Sequence, residues 1–163
     1  MGLNGSIGNM ENVIEIIEYE NRYHADFKRL NLEWLDKYGL TESHDLLILD
    51  DPQGIVLDNG GFIWLAKAGE EIVGSVGIMN EGEGIFELIK MGVNENWRGK
   101  GIARMLIEIC LQKAKEIGIK RLILFSNHQL QTAIRLYEKY GFKQVEVTGA
   151  PFLTADVKME LEF

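Results

Sequence analysis

A passage from strand to helix and back to strand, between residues 85 and 125, constrains the fold of this chain most strongly. Apolar runs over residues 85–93 and 120–125 predict two strands, and helical spacing of apolar residues over 101–117 predicts the helix between them. A connection of this kind makes the two strands parallel neighbours with a right-handed crossover. Ligands of such sheets bind where a strand ends and the following helix begins.

The other predicted elements surround this unit with further strands and helices. They are strands at 12–18, 62–68, 72–79, 142–147 and 157–163, and helices at 21–38, 42–49 and 129–140. The three strands within 62–93 form a meander, and the chain shows no repeat and no linker. We therefore expect a single domain over residues 10–163, of the mixed α/β (α+β) class and built on one sheet.

The composition is typical of a globular protein without a metal or disulfide framework. Of the 163 residues, 46% are hydrophobic, 26% are charged and only two are proline, which argues against extended disorder. The single cysteine, Cys110, cannot form an internal disulfide, and three scattered histidines do not make a zinc pattern, so no metal is expected. Residues 1–9, rich in Gly and Asn, are interpreted as a cloning remnant or a disordered segment.

The charge distribution argues against nucleic-acid and membrane partners. The formal net charge is -8 at pH 7, which repels polyanions. Residues 1–82 carry 15 acidic against 5 basic side chains, whereas residues 83–163 carry 10 against 12, so the second half suits an anionic ligand and the first a cationic one. Neither an apolar run of ~20 residues nor a secretion signal is present, and a cytoplasmic location is expected.

The segment with the clearest chemistry is the junction of residues 93–104, where the predicted strand gives way to the long helix. Arg98, Gly99, Lys100 and Gly101 form the connecting loop. Free N–H groups at a helix start point outward with the positive end of the helix dipole, and glycine lets an anion approach the backbone. The junction predicts a phosphate-binding loop; a tight connection is the alternative. The absence of GxxxxGK[ST] and GxGxxG argues against NTPases and Rossmann dehydrogenases.

Two motifs in this half of the chain resemble the GNAT acetyltransferase superfamily. Residues 98–103, RGKGIA, fill the Q/R-x-x-G-x-G/A pattern of that family's pyrophosphate loop, and residues 133–142 read AIRLYEKYGF. The order of the predicted elements from residue 12 to residue 163 is also similar to the family's. The resemblance implies a mostly antiparallel central sheet with a splayed parallel strand pair at an acyl-CoA site, and acetyl-CoA as cosubstrate.

The resemblance also implies which residues contact CoA. In the family, the loop and helix start hold the pyrophosphate, and main-chain amides of the splayed strand hold pantetheine and the acetyl carbonyl. The implied residues are Met91, Gly92, Val93, Arg98, Gly99, Lys100, Gly101, Ile102, Ala103, Arg104 and Asn127. The N–H of Val93 would face the oxyanion that forms on the acetyl group. An ordinary buried strand at 91–93 is the alternative, and it is compatible with a role of the backbone.

Tyr137 and Asn127 correspond to two further family positions. Tyr137 lies where the family commonly places a general acid for the departing CoA thiolate, and a phenol with a reference pKa of about 10 carries its proton at neutral pH. A core aromatic residue is the alternative. Many family members have a pantetheine-binding asparagine at the position of Leu130, and Asn127 is the expected substitute here; a helix N-cap or turn residue is the alternative for Asn127.

Glu87 is the leading candidate for the base that takes the proton of the amine. It lies six residues before Val93 on the same predicted strand, and the even spacing predicts both side chains on one face of the sheet. Some family members use a glutamate from this place. Glu81 and Glu83 in the preceding turn compete for the role, and a solvated strand glutamate is the alternative.

The expected activity is that of an acetyl-CoA dependent N-acetyltransferase, which passes the acetyl group directly to a primary amine of a small molecule or peptide. Residues 20–60 and 148–154 would form the amine site, while Trp34 and Trp64 fit the core. Two alternatives stay open, a noncatalytic acyl-CoA sensor or interaction module and another phosphate-ligand binder. The amine, the acyl chain and the oligomeric state are open as well, although a homodimer is common in the family.

Overall fold

The structure, a computed structural model, describes residues 13–163 as a seven-stranded sheet with helices on both faces. The strands are β1 (Ile14–Glu18), β2 (Phe62–Ala68), β3 (Glu71–Gly82), β4 (Ile85–Val93), β5 (Arg121–Ser126), β6 (Lys143–Val145) and β7 (Val157–Glu162). The helices are α1 (His24–Lys37), α2 (Ser43–Asp50), α3 (Pro52–Ile55), α4 (Ile102–Ile117) and α5 (Gln131–Lys139). The interpretation of residues 1–9 falls outside the described residues.

The strands follow the order β1-β2-β3-β4-β5-β7-β6 across the sheet. β4 and β5 are parallel and are joined by α4, whereas the other neighbouring pairs are antiparallel. The mixed sheet and the parallel pair predicted from residues 85–125 are thereby confirmed.

β4 and β5 pair over a short stretch and then separate. Their pairing runs from Ile85 with Arg121 to Glu87 with Ile123 and does not continue. The remainder of β4 keeps β3 as a neighbour, while its other edge is unpaired. This is the splay that the family resemblance implied, and it opens a gap within the sheet.

Each face of the sheet is covered by its own hydrophobic core. On one face, α4 and α5 pack on the strands through a cluster that includes the fully buried Leu106; on the other, α1 and α2 pack through a cluster that includes Phe27 and Ile48. α4 approaches closely because β3 has glycine at position 74, where a Cβ would lie 3.1 Å from Ile102 Cγ2 and 3.2 Å from Leu106 Cδ1. Burying each of these large side chains contributes roughly 2 kcal/mol, so packing holds both faces in place.

A bulge interrupts β4 next to the gap. Gly77 of β3 pairs with Ile89, but Ser75, two residues earlier, pairs with Gly92, so β4 carries one extra residue. Lys90 lies in this bulge with a left-handed φ of 49°. Such a conformation costs a residue with a Cβ about 1–2 kcal/mol, which the surrounding contacts must offset.

The bulge corrects the prediction that Glu87 and Val93 face the same side of the sheet. Glu87 pairs with Met79, which belongs to the core beneath α1 and α2, whereas Val93 packs on the core beneath α4 and α5. Even spacing keeps two side chains on one face only in an uninterrupted strand, and one extra residue reverses the alternation.

The remaining differences from the predicted elements lie near loops. β6 is shorter than the strand predicted at 142–147, and β3 continues past residue 79 to Gly82. α3 has no predicted counterpart; Pro52 occupies its first turn, and Asp51 accepts a hydrogen bond from Gly54 N at 2.9 Å, a local arrangement that hydrophobic periodicity does not reveal. Among residues 13–163, no helix is long and apolar enough to cross a membrane.

Candidate active site

A cavity of about 540 Å³ lies where β4 and β5 separate, and its walls come from both faces of the sheet. It therefore passes through the gap between the two strands. The predicted site residues in its lining are Glu87, Met91, Gly92, Val93, Arg98, Gly99, Gly101, Ile102, Ala103, Arg104, Asn127 and Tyr137. Lys100 is not part of the lining, and its ammonium lies 5.8 Å from the centre of the Trp97 ring.

The start of α4 offers backbone N–H groups to the cavity. Gly101 precedes the helix with a φ of 80° and supplies no side-chain cap, and the first turn contains no acidic residue. Gly99 has a φ of 75°, and a Cβ at either glycine would meet nothing within 4 Å. The first N–H groups of a helix have no partner within it, so these donors, with Arg98 and Arg104, border open space that suits an anion.

Tyr137 reaches the cavity from α5. Its ring is buried in the core beneath α4 and α5, with its centre 5.7 Å from the centre of the Phe142 ring. Burial raises the pKa of the phenol, and the neighbouring Cys110 adds to the rise. The hydroxyl therefore keeps its proton throughout the neutral range, which suits a proton donor.

Glu87 borders the cavity from the opposite face of the sheet, and only 4% of the residue is exposed. Burial raises the pKa of its carboxyl to about 8; the charge of Glu81 and a hydrogen bond with Glu81 add to the rise, whereas Lys90 and Lys158 oppose it. The carboxyl is mostly protonated at neutral pH and becomes a proton acceptor slightly above it. Glu81, a competing candidate in the sequence, is therefore the partner of Glu87, while Glu83 lies exposed in the turn.

A buried ion pair borders the cavity beneath α2. The Lys90 ammonium bonds to the Asp45 carboxylate, and only 4% and 3% of the two side chains are exposed. Asp45 also accepts a hydrogen bond from Glu42 N at 2.9 Å, and Lys90 Nζ lies 5.1 Å from the centre of the Phe152 ring. Removal of either charge would leave the other uncompensated in the interior. The pair therefore ties the bulge of β4 to α2.

The loop of residues 148–156, here called the strap, lies across the cavity from β5 to α2. Glu42 accepts hydrogen bonds from Leu153 N at 2.8 Å and from Thr154 N at 3.0 Å. Burial acts to raise the pKa of Glu42, but these hydrogen bonds and one from the Thr154 hydroxyl lower it overall. Asp156 accepts a hydrogen bond from His128 N at 2.8 Å. The strap is thus anchored at two points within its C-terminal half, residues 153–156.

Both segments predicted to form the amine site contribute side chains to the cavity wall. Trp34, Leu35 and Tyr38 come from α1 and its C-terminal end, and Phe152 comes from the strap. Trp34 is half-buried: it packs against the core beneath α1 and α2 as predicted, and it also lines the cavity. Trp64 is buried in the core as predicted. Spacing along a helix cannot distinguish a side chain that faces the core from one that faces a cavity.

Asn127 anchors the strap and does not cap α5. Its Nδ2 donates to Thr154 O at 2.8 Å, and its Oδ1 accepts from Gln129 N at 3.0 Å. Leu130 occupies the N-cap position of α5, so Asn127 is not the helix cap. Its side chain instead stabilises the turn before the helix begins, which agrees with the turn alternative. The pantetheine contact stays a prediction.

Five polar residues at the site have no counterpart among the predicted site residues. They are Asn31, Glu42, Asp45, Ser75 and Lys90. All except Glu42 are buried, but only Ser75 and Lys90 lie in apolar strand segments, where a polar residue signals a hydrogen-bonded contact in the interior. The partners Asn31 and Ser75 lie 44 positions apart, and Asp45 and Lys90 lie 45 apart. The local sequence pattern therefore marks Ser75 and Lys90 but does not reveal their partners.

Comparison with family models finds one that covers most of the described chain. The model of the acetyltransferase (GNAT) family matches residues 20–142. The matched span runs from the start of the first helical segment through α5 and contains every predicted site residue.

Two curated proteins illustrate the similarity in sequence. N-acetyltransferase 8 of Rattus norvegicus is 31% identical over 109 residues, which are 64% of this chain and 48% of that protein. The uncharacterized N-acetyltransferase YjgM of Escherichia coli (strain K12) is 32% identical over 117 residues, which are 68% of this chain and 70% of that protein. The chain thus spans about half the length of the rat protein that it matches.

Solved structures share the fold at lower sequence identity. An acetyltransferase of the GNAT family from Staphylococcus aureus Mu50 has a TM-score of 0.85 and 22% identity, with 92% of this chain and 99% of that chain covered. The PaiA N-acetyltransferase of Thermoplasma acidophilum, solved in complex with coenzyme A, has a TM-score of 0.75 and 17% identity, with 93% and 99% covered. At these identities, the likeness establishes the fold alone.

The raised pKa of Glu87 predicts how folding stability depends on pH. The carboxyl ionises near 4.5 in the unfolded chain and near 8 in the folded protein. The stability contributed by its protonated form is complete below pH 4.5 and is lost as the pH rises through 8. Because Glu87→Gln cannot titrate at this position, the variant should gain about 2–3 kcal/mol of stability relative to the parent between pH 6 and pH 9.

Urea unfolding of the parent and Glu87→Gln at pH 6 and pH 9 measures this difference. Glu83→Gln is the matched control, since Glu83 lies in an exposed turn, and its stability should differ from the parent's by the same amount at both pH values. If the stability of Glu87→Gln also differed from the parent's by the same amount at pH 6 and pH 9, Glu87 would already be ionised at neutral pH.

Proposed function

Because the chain belongs to the acetyltransferase (GNAT) family, we propose that it transfers the acetyl group of acetyl-CoA directly to a primary amine of a small molecule or peptide. One observation supports this proposal most. A single cavity connects the uncapped start of α4, the open edge of β4, Tyr137 and Glu87. One bound ligand could therefore contact an anion-binding helix start, unpaired backbone groups, a proton donor and a proton acceptor.

The cosubstrate would lie in the gap between β4 and β5. Its pyrophosphate would accept hydrogen bonds from N–H groups at Gly99–Arg104, next to the charge of Arg98. Its pantetheine amides would pair with the open edge of β4 at Met91 and Gly92, as an added strand does. The N–H of Val93 would then donate to the acetyl carbonyl oxygen, and such a preorganised donor is worth about 3 kcal/mol in other enzymes.

During the transfer, the acceptor nitrogen loses two protons and the sulfur of CoA gains one. The ammonium form of the acceptor gives one proton to Glu87, and the neutral nitrogen attacks the thioester carbon. The C–N bond forms and the C–S bond breaks, while the Tyr137 hydroxyl protonates the departing CoA thiolate. The second proton released by the nitrogen restores the tyrosine. The products are an acetamide, CoA thiol and one proton, which leaves from Glu87 to solvent.

The acceptor would enter from the side of α1 and the strap. That end of the cavity presents the rings of Trp34, Tyr38 and Phe152, with Glu87 at its inner wall. A panel of primary amines, incubated with acetyl-CoA and assayed by free thiol, should contain acceptors that yield one acetylated product per thiol released. Tight CoA binding without turnover on any amine would contradict the proposed acetyltransferase activity and favour a noncatalytic acyl-CoA sensor. Binding of ATP in place of CoA would favour a different phosphate ligand.

Gly101→Asp should weaken CoA binding at least about tenfold. The substitution places a carboxylate at the start of α4, where it repels phosphate. Isothermal titration calorimetry with CoA measures the change. Gly118→Asp is the matched control, because Gly118 lies at the other end of α4 with a similar φ of 70° and open space around its Cα. Equal CoA affinity in the parent and a folded Gly101→Asp protein would place the phosphate site elsewhere.

Tyr137→Phe should lower kcat on the order of a hundredfold and leave the affinity for acetyl-CoA unchanged, because the hydroxyl acts on the leaving thiolate and not on ground-state binding. Steady-state kinetics and direct binding of CoA separate the two effects. Tyr140→Phe is the control, since the Tyr140 hydroxyl bonds to Glu108 at 2.7 Å and lies outside the cavity. Parental kcat in Tyr137→Phe, with chemistry rate-limiting, would remove this residue from the mechanism.

The rate at saturating amine should rise with pH through the pKa of Glu87, about 8, since only the ionised carboxylate accepts a proton. Glu81→Gln removes the charge that helps to raise this pKa, so the midpoint of its profile should move to lower pH. Glu87→Gln should lower kcat and lose the ionisation. Parental kcat with a raised KM in Glu87→Gln would instead mean that Glu87 anchors the positive charge of the amine.

A further inference from the structure

A chain of buried hydrogen bonds connects α1 to the bulge of β4. The indole N–H of Trp34 donates to Asn31 Oδ1 at 3.0 Å, and Asn31 Nδ2 donates to Ser75 Oγ at 3.0 Å. The Ser75 hydroxyl in turn donates to the carbonyl oxygen of Lys90 at 2.7 Å. Asn31 and Ser75 are both completely buried. A residue in the bulge is thus bonded, through two side chains, to the helix that covers it.

The donors and acceptors of these hydrogen bonds permit only one arrangement. The indole can only donate, and the second hydrogen of Asn31 Nδ2 is used by Phe27 O at 2.9 Å. The hydroxyl of Ser75 donates its single hydrogen to Lys90 and accepts from Asn31. It is energetically costly for a buried polar group to lose its hydrogen-bond partner. These hydrogen bonds therefore hold the Lys90 carbonyl in one orientation.

α1 also contacts the bulge on the far side of Met91. A Cβ at Gly92 would lie 2.6 Å from Trp34 Nε1, so the indole packs on the backbone of Gly92 where a larger residue could not fit. Lys90 keeps a φ of 49°, a conformation that persists where the surroundings determine it. Ser75 and Trp34 therefore fix the backbone immediately before and after Met91.

We infer that Asn31, Ser75 and Trp34 are positioning residues that fix the β4 bulge and thereby aim the amides of Met91–Val93 at the acyl thioester. The inference rests on the proposed function, because these amides affect the rate only if they bind the reacting carbonyl. A misplacement of about 1 Å can lower a rate on the order of a hundredfold. The CoA phosphates would bind at α4, away from these hydrogen bonds, and only the pantetheine would contact Met91 and Gly92. The rate should therefore fall much more than the affinity for CoA.

Ser75→Ala tests the inference, since it removes the hydroxyl without adding volume. We expect kcat to fall about ten- to a hundredfold, with KM for acetyl-CoA and Kd for CoA within about threefold of the parental values. Trp34→Phe, at a half-buried position, provides a second variant that should fold readily and lose kcat in the same direction. Trp64→Phe is the control, because Trp64 is a buried tryptophan in the opposite core, outside the cavity, and should keep parental kcat.

Amide NMR spectra of the CoA-bound protein provide a readout that needs no turnover. Ser75→Ala should shift the resonances of residues 91–93 and leave those of residues 99–103 in place. Parental kcat in folded Ser75→Ala and Trp34→Phe, with residues 91–93 unshifted, would overturn the inference. A parallel loss of kcat and CoA affinity, with both sets of resonances shifted, would also overturn it by showing a general structural role. Failure of the proposed function can be distinguished from failure of this inference. In that case the parent protein would acetylate no amine, while the amide shifts of residues 91–93 would still show whether Ser75 fixes the bulge.

Discussion

The separation of β4 from β5 after Glu87 is the feature on which the rest of the site depends. A strand edge without a neighbour carries unsatisfied N–H and C=O groups, and here those groups face a cavity instead of another strand. The gap stays open because each strand is held on its other side, β4 by β3 and β5 by β7, and because separate cores cover the two faces. The site therefore arises mainly from the unpaired backbone edge of β4, and side chains line its borders.

Burial raises the pKa of two residues on opposite sides of this gap, and the two proposed proton transfers depend on these shifts. It raises the pKa of Tyr137, which keeps a proton available for a leaving group, and it raises the pKa of Glu87 to about 8, which brings a carboxyl into the range of a base at slightly alkaline pH. The two groups lie in the cores of opposite faces, so the cavity between β4 and β5 is what brings them to one ligand. One physical cause, desolvation, thus serves both roles.

Buried polar contacts join α1 and α2 to the bulge of β4. The ion pair of Asp45 with Lys90 and the hydrogen bond of Asn31 with Ser75 both end at the β4 bulge or beside it. Each requires a matched partner, since an isolated member would be a buried charge or an unpaired polar group. The helices that line one end of the cavity therefore also hold the β4 backbone at the bulge, and a substitution in either segment must preserve the contacts of the other.

The sequence by itself determined the order of elements, the parallel strand pair within residues 85–125 and the phosphate-binding geometry expected at residues 98–103, because these follow from local periodicity, glycine placement and helix termini. It placed Glu87 and Val93 on one face, and the structure places them on opposite faces, since the bulge arises from the register between β3 and β4. The pairing of Asn31 with Ser75, the pairing of Asp45 with Lys90 and the raised pKa of Glu87 were decided only by the tertiary structure. Each depends on contacts between distant segments and on the exclusion of water, and neither exists until the chain has folded.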